Sequence, residues 1–149
     1  QNLDIYNALM LNKKKEKSEN QRILFHGTSL ENVKRIMNTG FNRDYNVNSV
    51  YGKGTYFSNK ARIAAKYCEG MEKKFEADKT IYVMLGCLTY IGEYTVGSLN
   101  MEEGELYMDD CVTQYDSLVN RMDDPSIFVI NRDYHSVPCF MIVYSRVSE

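Results

Sequence analysis

The residue types in this chain that could do chemistry lie close together, between positions 23 and 57. His26, one of two histidines, follows a short apolar run and precedes Gly27. Residues 51–57 read Tyr-Gly-Lys-Gly-Thr-Tyr-Phe, and the two glycines permit close approach of a ligand to the backbone. A histidine at a strand-to-helix junction, together with a glycine-rich turn that delivers an aromatic side chain, indicates a ligand site.

The pattern around His26 predicts the elements that position it. Residues 23–25 are apolar and favour a short buried strand. Thr28, with an acidic residue three positions later, begins a capping-box pattern, so we expect a helix over residues 29–38 that ends at Gly40 as its C-cap. The backbone N–H groups at the start of that helix would lie next to His26, where they attract a negative or carbonyl oxygen.

The rest of the chain predicts more strands than helices. Apolar periodicity favours a helix over residues 3–18, and Ser58 or Asn59 could cap another that ends near Cys68. Residues 72–79 are charged and predict a loop. Strands are expected at 51–57, 80–89, 93–96, 115–120, 127–130 and 139–144, the last two joined by a hairpin loop over 131–136. Helices in the first half and strands in the second indicate an α+β fold.

Length and composition limit the class of protein. The chain has 149 residues, of which 26% are charged and 44% hydrophobic, which is ordinary for a globular domain. The net charge of −2 argues against broad nucleic-acid binding. No apolar run is long enough to span a membrane. The chain begins with Gln instead of Met, so we expect residues 1–149 to be a single domain excised from a longer protein.

The four cysteines are scattered along the chain and form no Cys-x-x-Cys pair. Together with only two histidines they offer no metal-ligand spacing, so no metal is expected. Scattered single cysteines are typical of proteins in a reducing compartment. We therefore expect a nuclear or cytoplasmic location.

The order of four motifs resembles the catalytic domain of the poly(ADP-ribose) polymerase family. They are Leu-Phe-His-Gly-Thr at 24–28, the glycine-rich stretch at 51–57, Tyr-Asp-Ser at 115–117 and Pro-Ser-Ile-Phe-Val-Ile at 125–130. The resemblance runs from residue 2 to about residue 144 and is strongest to the branch that transfers a single ADP-ribose. It implies an ADP-ribosyltransferase-like fold of two packed antiparallel sheets flanked by a few helices, with NAD extended in a cleft between the sheets.

The resemblance also implies how this sequence would hold the nicotinamide half of NAD. His26 would hydrogen-bond a ribose hydroxyl, and Gly27 would offer its backbone to the carboxamide. Tyr56 and Tyr67 would stack on the two faces of the nicotinamide ring, an arrangement that suits a flat cation. Without the resemblance each feature has a more ordinary interpretation: a structural histidine, glycines that mark a β-bulge, and a core aromatic at Tyr67.

At the other end of NAD, the resemblance places Thr28 and either Asn42 or Arg43 where the family contacts the adenosine half. Ala64 departs from the family pattern. Many members carry a serine there, whose hydroxyl holds the carboxamide, and loss of one such donor costs about 0.5–1.5 kcal/mol of binding unless another group replaces it.

Ile127 is the second departure, and it completes the implied catalytic set with His26 and Tyr56. Family members that build polymers carry a glutamate at this position, which orients the ribose of NAD and activates the hydroxyl that extends a chain. An isoleucine has no proton acceptor and can do neither. Any transfer is therefore expected to stop after one unit.

Three hypotheses follow. The first is an enzyme that transfers one ADP-ribose from NAD to Asp or Glu of a protein, with the acceptor supplying the missing carboxylate; the chain itself is a candidate acceptor. The second is a catalytically silent module that holds NAD or ADP-ribose. The third is a nucleic-acid modifier, which the net charge opposes. An acidic loop over residues 99–115 either steers basic targets to the site or is simply solvated.

Overall fold

The computed structural model describes residues 20–46, 49–69, 71–75, 79–101 and 112–146. The helix expected over residues 3–18 and most of the acidic loop expected over 99–115 lie outside these ranges. No helix in the described part is long and apolar enough to cross a membrane.

The described elements confirm an α+β fold. The strands are β1 (Gln21–Gly27), β2 (Thr55–Ser58), β3 (Met71–Phe75), β4 (Lys79–Tyr90), β5 (Tyr94–Val96), β6 (Ser117–Val119), β7 (Ile127–Ile130) and β8 (Ser136–Ser145). The α-helices are α1 (Leu30–Thr39) and α2 (Ala61–Ala64), and short 3-10 helices cover Arg43–Tyr45, Ala65–Tyr67 and Asp133–His135.

Strand β4 lies at the centre of the strand pairing. β1 pairs with it antiparallel from Met84 to Tyr90, and β8 pairs with it antiparallel from Ile81 to Thr89, so these two strands occupy opposite edges of β4. β3 pairs with the beginning of β4. From β1 the order continues β2-β7-β6-β5, and among the described pairs only that of β5 with β6 is parallel.

Hydrogen bonds connect all eight described strands into one network, so the second packed sheet expected from the sequence is not confirmed. The network is narrow at one place. The ladder between β1 and β2 consists of a single pair, Phe25 with Ser58. His26 and Gly27 come directly after Phe25 in β1, so they lie where this ladder ends.

The hairpin expected between β7 and β8 is wrong. Both edges of β7 are already used, since β2 and β6 pair with it over the same residues. β8 instead pairs with β4 in the other part of the network. Residues 131–135 therefore carry the chain from one part to the other, through the 3-10 helix Asp133–His135. Two apolar runs separated by a short polar stretch indicate two strands, but they do not identify the partner of each.

The ends of α1 are set by local hydrogen bonds. Ser29, not Thr28, is the N-cap: its hydroxyl accepts from the backbone N–H of Asn32 at 3.3 Å. The helix begins at Leu30, so the acidic residue of the expected capping box lies one position too early to complete it. Gly40 is the C-cap, as predicted, with φ of 81° and its N–H donating to a carbonyl one turn back.

Two other sequence predictions are corrected. The charged loop expected over 72–79 begins as strand β3, which pairs with β4. Charged residues are well tolerated on a strand that has a neighbour on one side, and the composition alone therefore misled. The helix expected to reach Cys68 is a single α-helical turn, α2, followed by a 3-10 turn, and the Ser58 hydroxyl accepts from the N–H of Lys60 at its start (3.0 Å).

The main core forms where the inner face of α1 packs on the strands. Val33 and Ile36 of the helix cluster with buried side chains from β1, β2, β4 and β7, namely Leu24, Phe57, Leu85, Phe128 and Ile130. Burying one such side chain contributes about 1.5–3 kcal/mol, so this cluster is a large part of what holds β1 and α1 in place. The junction between them carries His26, Gly27 and Thr28.

His135 is a buried structural histidine. It is fully shielded from solvent, and its ring meets the edges of Tyr90 and Tyr134 at centroid distances of 5.0 and 4.9 Å. Neither ring nitrogen has a hydrogen-bond partner among the described residues. Burial, with a smaller effect from the charge of Arg132, lowers the pKa of His135 to about 4.

We predict that His135 makes the fold sensitive to mild acid. The unfolded chain binds a proton below pH 6.5, whereas the folded chain resists it until about pH 4, so this contribution to stability is present above pH 6.5 and is lost as the pH falls. Between pH 7 and pH 5 the free energy of unfolding should drop by about 1–2 kcal/mol from this residue, measured by urea titration. A His135→Leu variant should lose less stability over that range; an unchanged slope would contradict the assignment.

Candidate functional site

A cleft opens beside the end of the β1–β2 ladder, with a volume of about 220 Å³. Its walls come from β1, α1, β2, α2 and the two 3-10 helices that follow α1 and α2. Eight of the nine residues singled out from the sequence line it: His26, Gly27, Thr28, Asn42, Tyr56, Ala64, Tyr67 and Ile127.

Arg43 is the ninth, and it does not line the cleft. Its backbone N–H donates to Oδ1 of Asp133 at 2.8 Å, and its guanidinium donates to the backbone carbonyl of Asn131. These contacts fasten the 3-10 helix after α1 to the segment after β7. Of the two alternatives that the sequence left open, Asn42 is therefore the one at the cleft.

His26 is held in one orientation and one tautomer. Its Nδ1 lies 2.8 Å from the backbone carbonyl oxygen of Tyr56, which can only accept, so Nδ1 carries the proton. Burial lowers the pKa of His26 below its usual 6.5, so the ring is neutral at pH 7 and Nε2 is left as an acceptor. The rings of Phe41 and Phe57 pack on it at centroid distances of 5.2 and 5.4 Å.

Tyr56 is fixed by the glycine-rich turn that precedes it. Its hydroxyl donates to the carbonyl of Gly52 at 2.7 Å and accepts from the N–H of Tyr51 at 3.0 Å. Gly52 has φ of 104°, which disfavours any residue with a side chain. The stretch is thus a turn followed by β2 and not one continuous strand. Because the chain folds back at this turn, the backbone groups of Tyr51 and Gly52 can hold the Tyr56 hydroxyl. Burial raises the pKa of the Tyr56 phenol, which therefore stays protonated.

Gly27 permits the closest packing in the site. A Cβ on Gly27 would lie 1.9 Å from the carbonyl oxygen of Ala64, so only glycine allows α2 to approach β1 this closely. The 3-10 helix after α2 then carries Tyr67 to the cleft, where the residue is 51% exposed. Without the family resemblance, the helical position of Tyr67 would favour a core aromatic. Its exposure shows that Tyr67 does not lie in the core.

Ile127 begins β7 opposite Ser58 of β2 and is half-buried at the cleft. Its backbone N–H donates to Oδ1 of Asn120 at 3.1 Å. None of the described residues that line the cleft is Asp or Glu. The described part of the site therefore contains no carboxylate that could act as a general base.

Several polar side chains of the cleft were not predicted from the sequence, among them Asn32, Arg35, Tyr45 and Asn46. Asn32 follows Thr28 by four residues and Arg35 follows Asn32 by three, which places all three along one side of α1 and the residues that precede it. That spacing was the available signal. Tyr45 and Asn46 carried none, because they come to the cleft through the 3-10 turn after α1.

Comparison with known protein families decides the identity of the fold. Residues 6–148 match the family described as "Poly(ADP-ribose) polymerase catalytic domain". This chain belongs to that family.

Several curated relatives are similar to the chain. It is 31% identical over 137 residues to "Protein mono-ADP-ribosyltransferase PARP12" of Mus musculus, covering 89% of this chain and 18% of the relative. It is 31% identical over 154 residues to "Protein mono-ADP-ribosyltransferase PARP14" of Homo sapiens, covering 98% and 8%. With "Protein mono-ADP-ribosyltransferase PARP11" of Mus musculus it shares 29% over 153 residues, covering 87% and 46%. The chain thus spans less than half the length of each.

We predict that heteronuclear NMR of the imidazole nitrogens will find His26 neutral at pH 7 with the proton on Nδ1. The expected pKa lies below 6.5, because the buried ring loses hydration when it becomes charged. Nδ1 should keep its proton through the titration, since it donates to the Tyr56 carbonyl. A neutral ring with its proton on Nε2, or a pKa above 6.5, would contradict this geometry.

Proposed function

We propose that the chain transfers a single ADP-ribose unit from NAD to protein side chains and releases nicotinamide. The observation that carries the proposal is that His26, Gly27, Tyr56 and Tyr67 line the same cleft. Membership in the poly(ADP-ribose) polymerase catalytic domain family supports it, as do relatives named mono-ADP-ribosyltransferases.

The residues present suit NAD as the substrate. The neutral His26 offers Nε2 as an acceptor for a ribose hydroxyl, since Nδ1 is engaged with Tyr56. Gly27 pairs with Met84 of β4 on one edge of β1, and the ladder with β2 on the other edge has already ended, so the backbone of Gly27 on that other edge is suited to a carboxamide. The rings of Tyr56 and Tyr67 provide aromatic surface for a pyridinium, through stacking and cation–π attraction.

The proposed reaction needs no base from this chain if the acceptor is an acidic side chain. The bond between the nicotinamide nitrogen and ribose C1′ breaks, and its electron pair leaves with nicotinamide, which becomes neutral. A carboxylate oxygen of the acceptor forms the new bond to C1′ and loses its negative charge. Carboxylates are ionised at pH 7, so no proton has to be removed. The protein contributes orientation of the ribose and the leaving ring.

Ile127 explains why transfer should stop at one unit. Extension of a chain uses a ribose hydroxyl as the nucleophile, and a hydroxyl needs a base to accept its proton. The described residues at the cleft include no carboxylate, and His26 already orients the bound NAD in this proposal. Acidic side chains of a protein, including those of the chain itself, are therefore the preferred acceptors.

A silent module that holds NAD or ADP-ribose is the second candidate. The specific observation in its favour is the same absence of Asp and Glu among the described cleft residues, which leaves catalysis dependent on the acceptor. Ala64 adds to it, because it offers no hydroxyl to the carboxamide. The two candidates share ligand binding and differ in whether a covalent product forms.

We predict single ADP-ribose adducts on Asp or Glu. The chain should be incubated with NAD labelled in the adenosine half, with and without an acidic protein acceptor, and the products analysed by mass spectrometry. Adducts should carry one unit and be released by neutral hydroxylamine, as expected of esters. Ladders of polymer would contradict the proposal, and NAD binding without any adduct would establish the silent module.

Ile127→Glu is the matched comparison for that experiment. The substitution supplies a carboxylate at the cleft but no surface to hold a growing chain, so we expect the product to remain a single unit. Polymer formation by this variant would show that the missing carboxylate was the sole barrier to extension.

We further predict that Tyr67→Ala raises KM for NAD roughly tenfold, because it removes one aromatic face from the nicotinamide slot. Tyr67→Phe keeps the ring and should stay within about twofold of the original chain. Lys66→Ala, a change of the exposed neighbour on the same 3-10 turn, serves as the control. Equal KM values for Tyr67→Ala and Lys66→Ala would exclude a stacking role.

A further inference from the structure

Arg35 is the only permanently charged side chain among the described residues that line the cleft. It lies on the inner part of α1, half-buried, one helical turn before the end of that helix. Its charge is close enough to contribute to the lowered pKa of His26. The cleft therefore contains one fixed positive charge next to a neutral histidine.

Two neighbours hold the guanidinium of Arg35 in place. Its Cζ lies 3.8 Å from the centroid of the Tyr45 ring, and Nη2 donates to Oδ1 of Asn32 at 3.3 Å. Asn32 in turn donates to the hydroxyl of Thr28 at 3.0 Å. These contacts form a continuous polar wall from the start of α1 to the 3-10 helix after it, with the planar guanidinium in the middle.

The guanidinium lacks a compensating anion within the described part of the chain. No carboxylate there lies within ion-pair distance of Arg35, and the contacts to Asn32 and Tyr45 are with neutral groups. The bond to Asn32 uses one of five N–H donors. A half-buried guanidinium with donors to spare is suited to a phosphate, which it recognises through two parallel hydrogen bonds.

We propose that Arg35 binds the diphosphate of a dinucleotide and makes the cleft select dinucleotides over nucleosides. The inference rests on the proposed function, which places NAD in this cleft. Within that placement, the nicotinamide half lies towards Tyr67 and the adenosine half towards Asn42. The charge of Arg35 acts on His26, which would hold a ribose, and its contacts with Tyr45 and, through Asn32, with Thr28 lie towards the adenosine side. We therefore assign to this guanidinium the two phosphates that join the halves of NAD.

The competing explanation is that Arg35 only supports Tyr45. The two roles predict different ligand dependence. If Arg35 binds phosphates, its loss lowers the affinity for ADP-ribose and NAD but not for nicotinamide or adenosine. If Arg35 only supports Tyr45, its loss lowers the affinity for every ligand that contacts the polar wall, adenosine included.

The test compares Arg35→Gln with Lys34→Gln, its exposed neighbour on the same helix, so that the overall charge change is matched. Titration calorimetry should measure binding of ADP-ribose and adenosine, and competition with NAD should measure nicotinamide. Arg35→Gln should weaken ADP-ribose binding roughly tenfold and leave nicotinamide and adenosine within about twofold. The salt dependence of ADP-ribose binding should also become shallower, and Lys34→Gln should match the original chain.

Arg35→Lys keeps the charge but lacks the planar fork of donors, so it should bind ADP-ribose more tightly than Arg35→Gln and more weakly than the original chain. If Arg35→Gln is unstable, Arg35→Lys replaces it in the test. Equal ADP-ribose affinity in Arg35→Gln and Lys34→Gln, while the original chain binds NAD and forms adducts, would overturn this inference alone. Parallel losses for adenosine and ADP-ribose would assign Arg35 a supporting role instead. Failure of the original chain to bind NAD or ADP-ribose would overturn the proposed function and this inference together.

Discussion

The site depends on one hydrogen bond, from Nδ1 of His26 to the carbonyl of Tyr56. It forms where the backbone ladder between β1 and β2 ends after one pair, so a side chain continues a connection that the backbone no longer makes. It does two things at once. It joins the β4 part of the strand network to the β2–β7 part, and it selects the tautomer that presents Nε2 as an acceptor. A buried imidazole with no partner at Nδ1 would be free to adopt either tautomer.

The approach of α2 to β1 is the second constraint, and it follows from the absence of a side chain at Gly27. A Cβ added to Gly27 would collide with the Ala64 carbonyl, because its ideal position lies only 1.9 Å from the carbonyl oxygen. The backbone of β1 is therefore both the floor of the cleft and the surface on which α2 packs. The position of Tyr67 depends on this contact, because its 3-10 helix continues directly from α2. Replacing Gly27 would thus displace α2 and Tyr67, even if the peptide groups of Gly27 itself never contacted a ligand.

What could be predicted from the sequence was local. The backbone geometry at His26-Gly27 and at residues 51–57 is determined by neighbouring residues in the sequence. Eight of the nine expected site residues do line the cleft. Pairing over long distances could not be read in this way. The apolar pattern of β7 and β8 suggested a hairpin, whereas β7 has both edges used and β8 pairs with β4. The segment expected as a charged loop became β3 because β4 provides it with a partner.

The charges of the cleft form a consistent arrangement. Burial keeps His26 neutral and Tyr56 protonated, and no described lining residue is acidic, so Arg35 sets the sign of the local field. A positive field favours the phosphates of a dinucleotide but also disfavours a nearby pyridinium, which carries its own positive charge. In the proposed complex with NAD, the rings of Tyr56 and Tyr67 would offset that repulsion at the nicotinamide end, because aromatic rings present negative faces to cations. The neutral His26 adds no further positive charge. Such an arrangement would favour a ligand that is anionic at its centre and cationic at one end, and its attraction for the leaving nicotinamide would weaken once that ring becomes neutral.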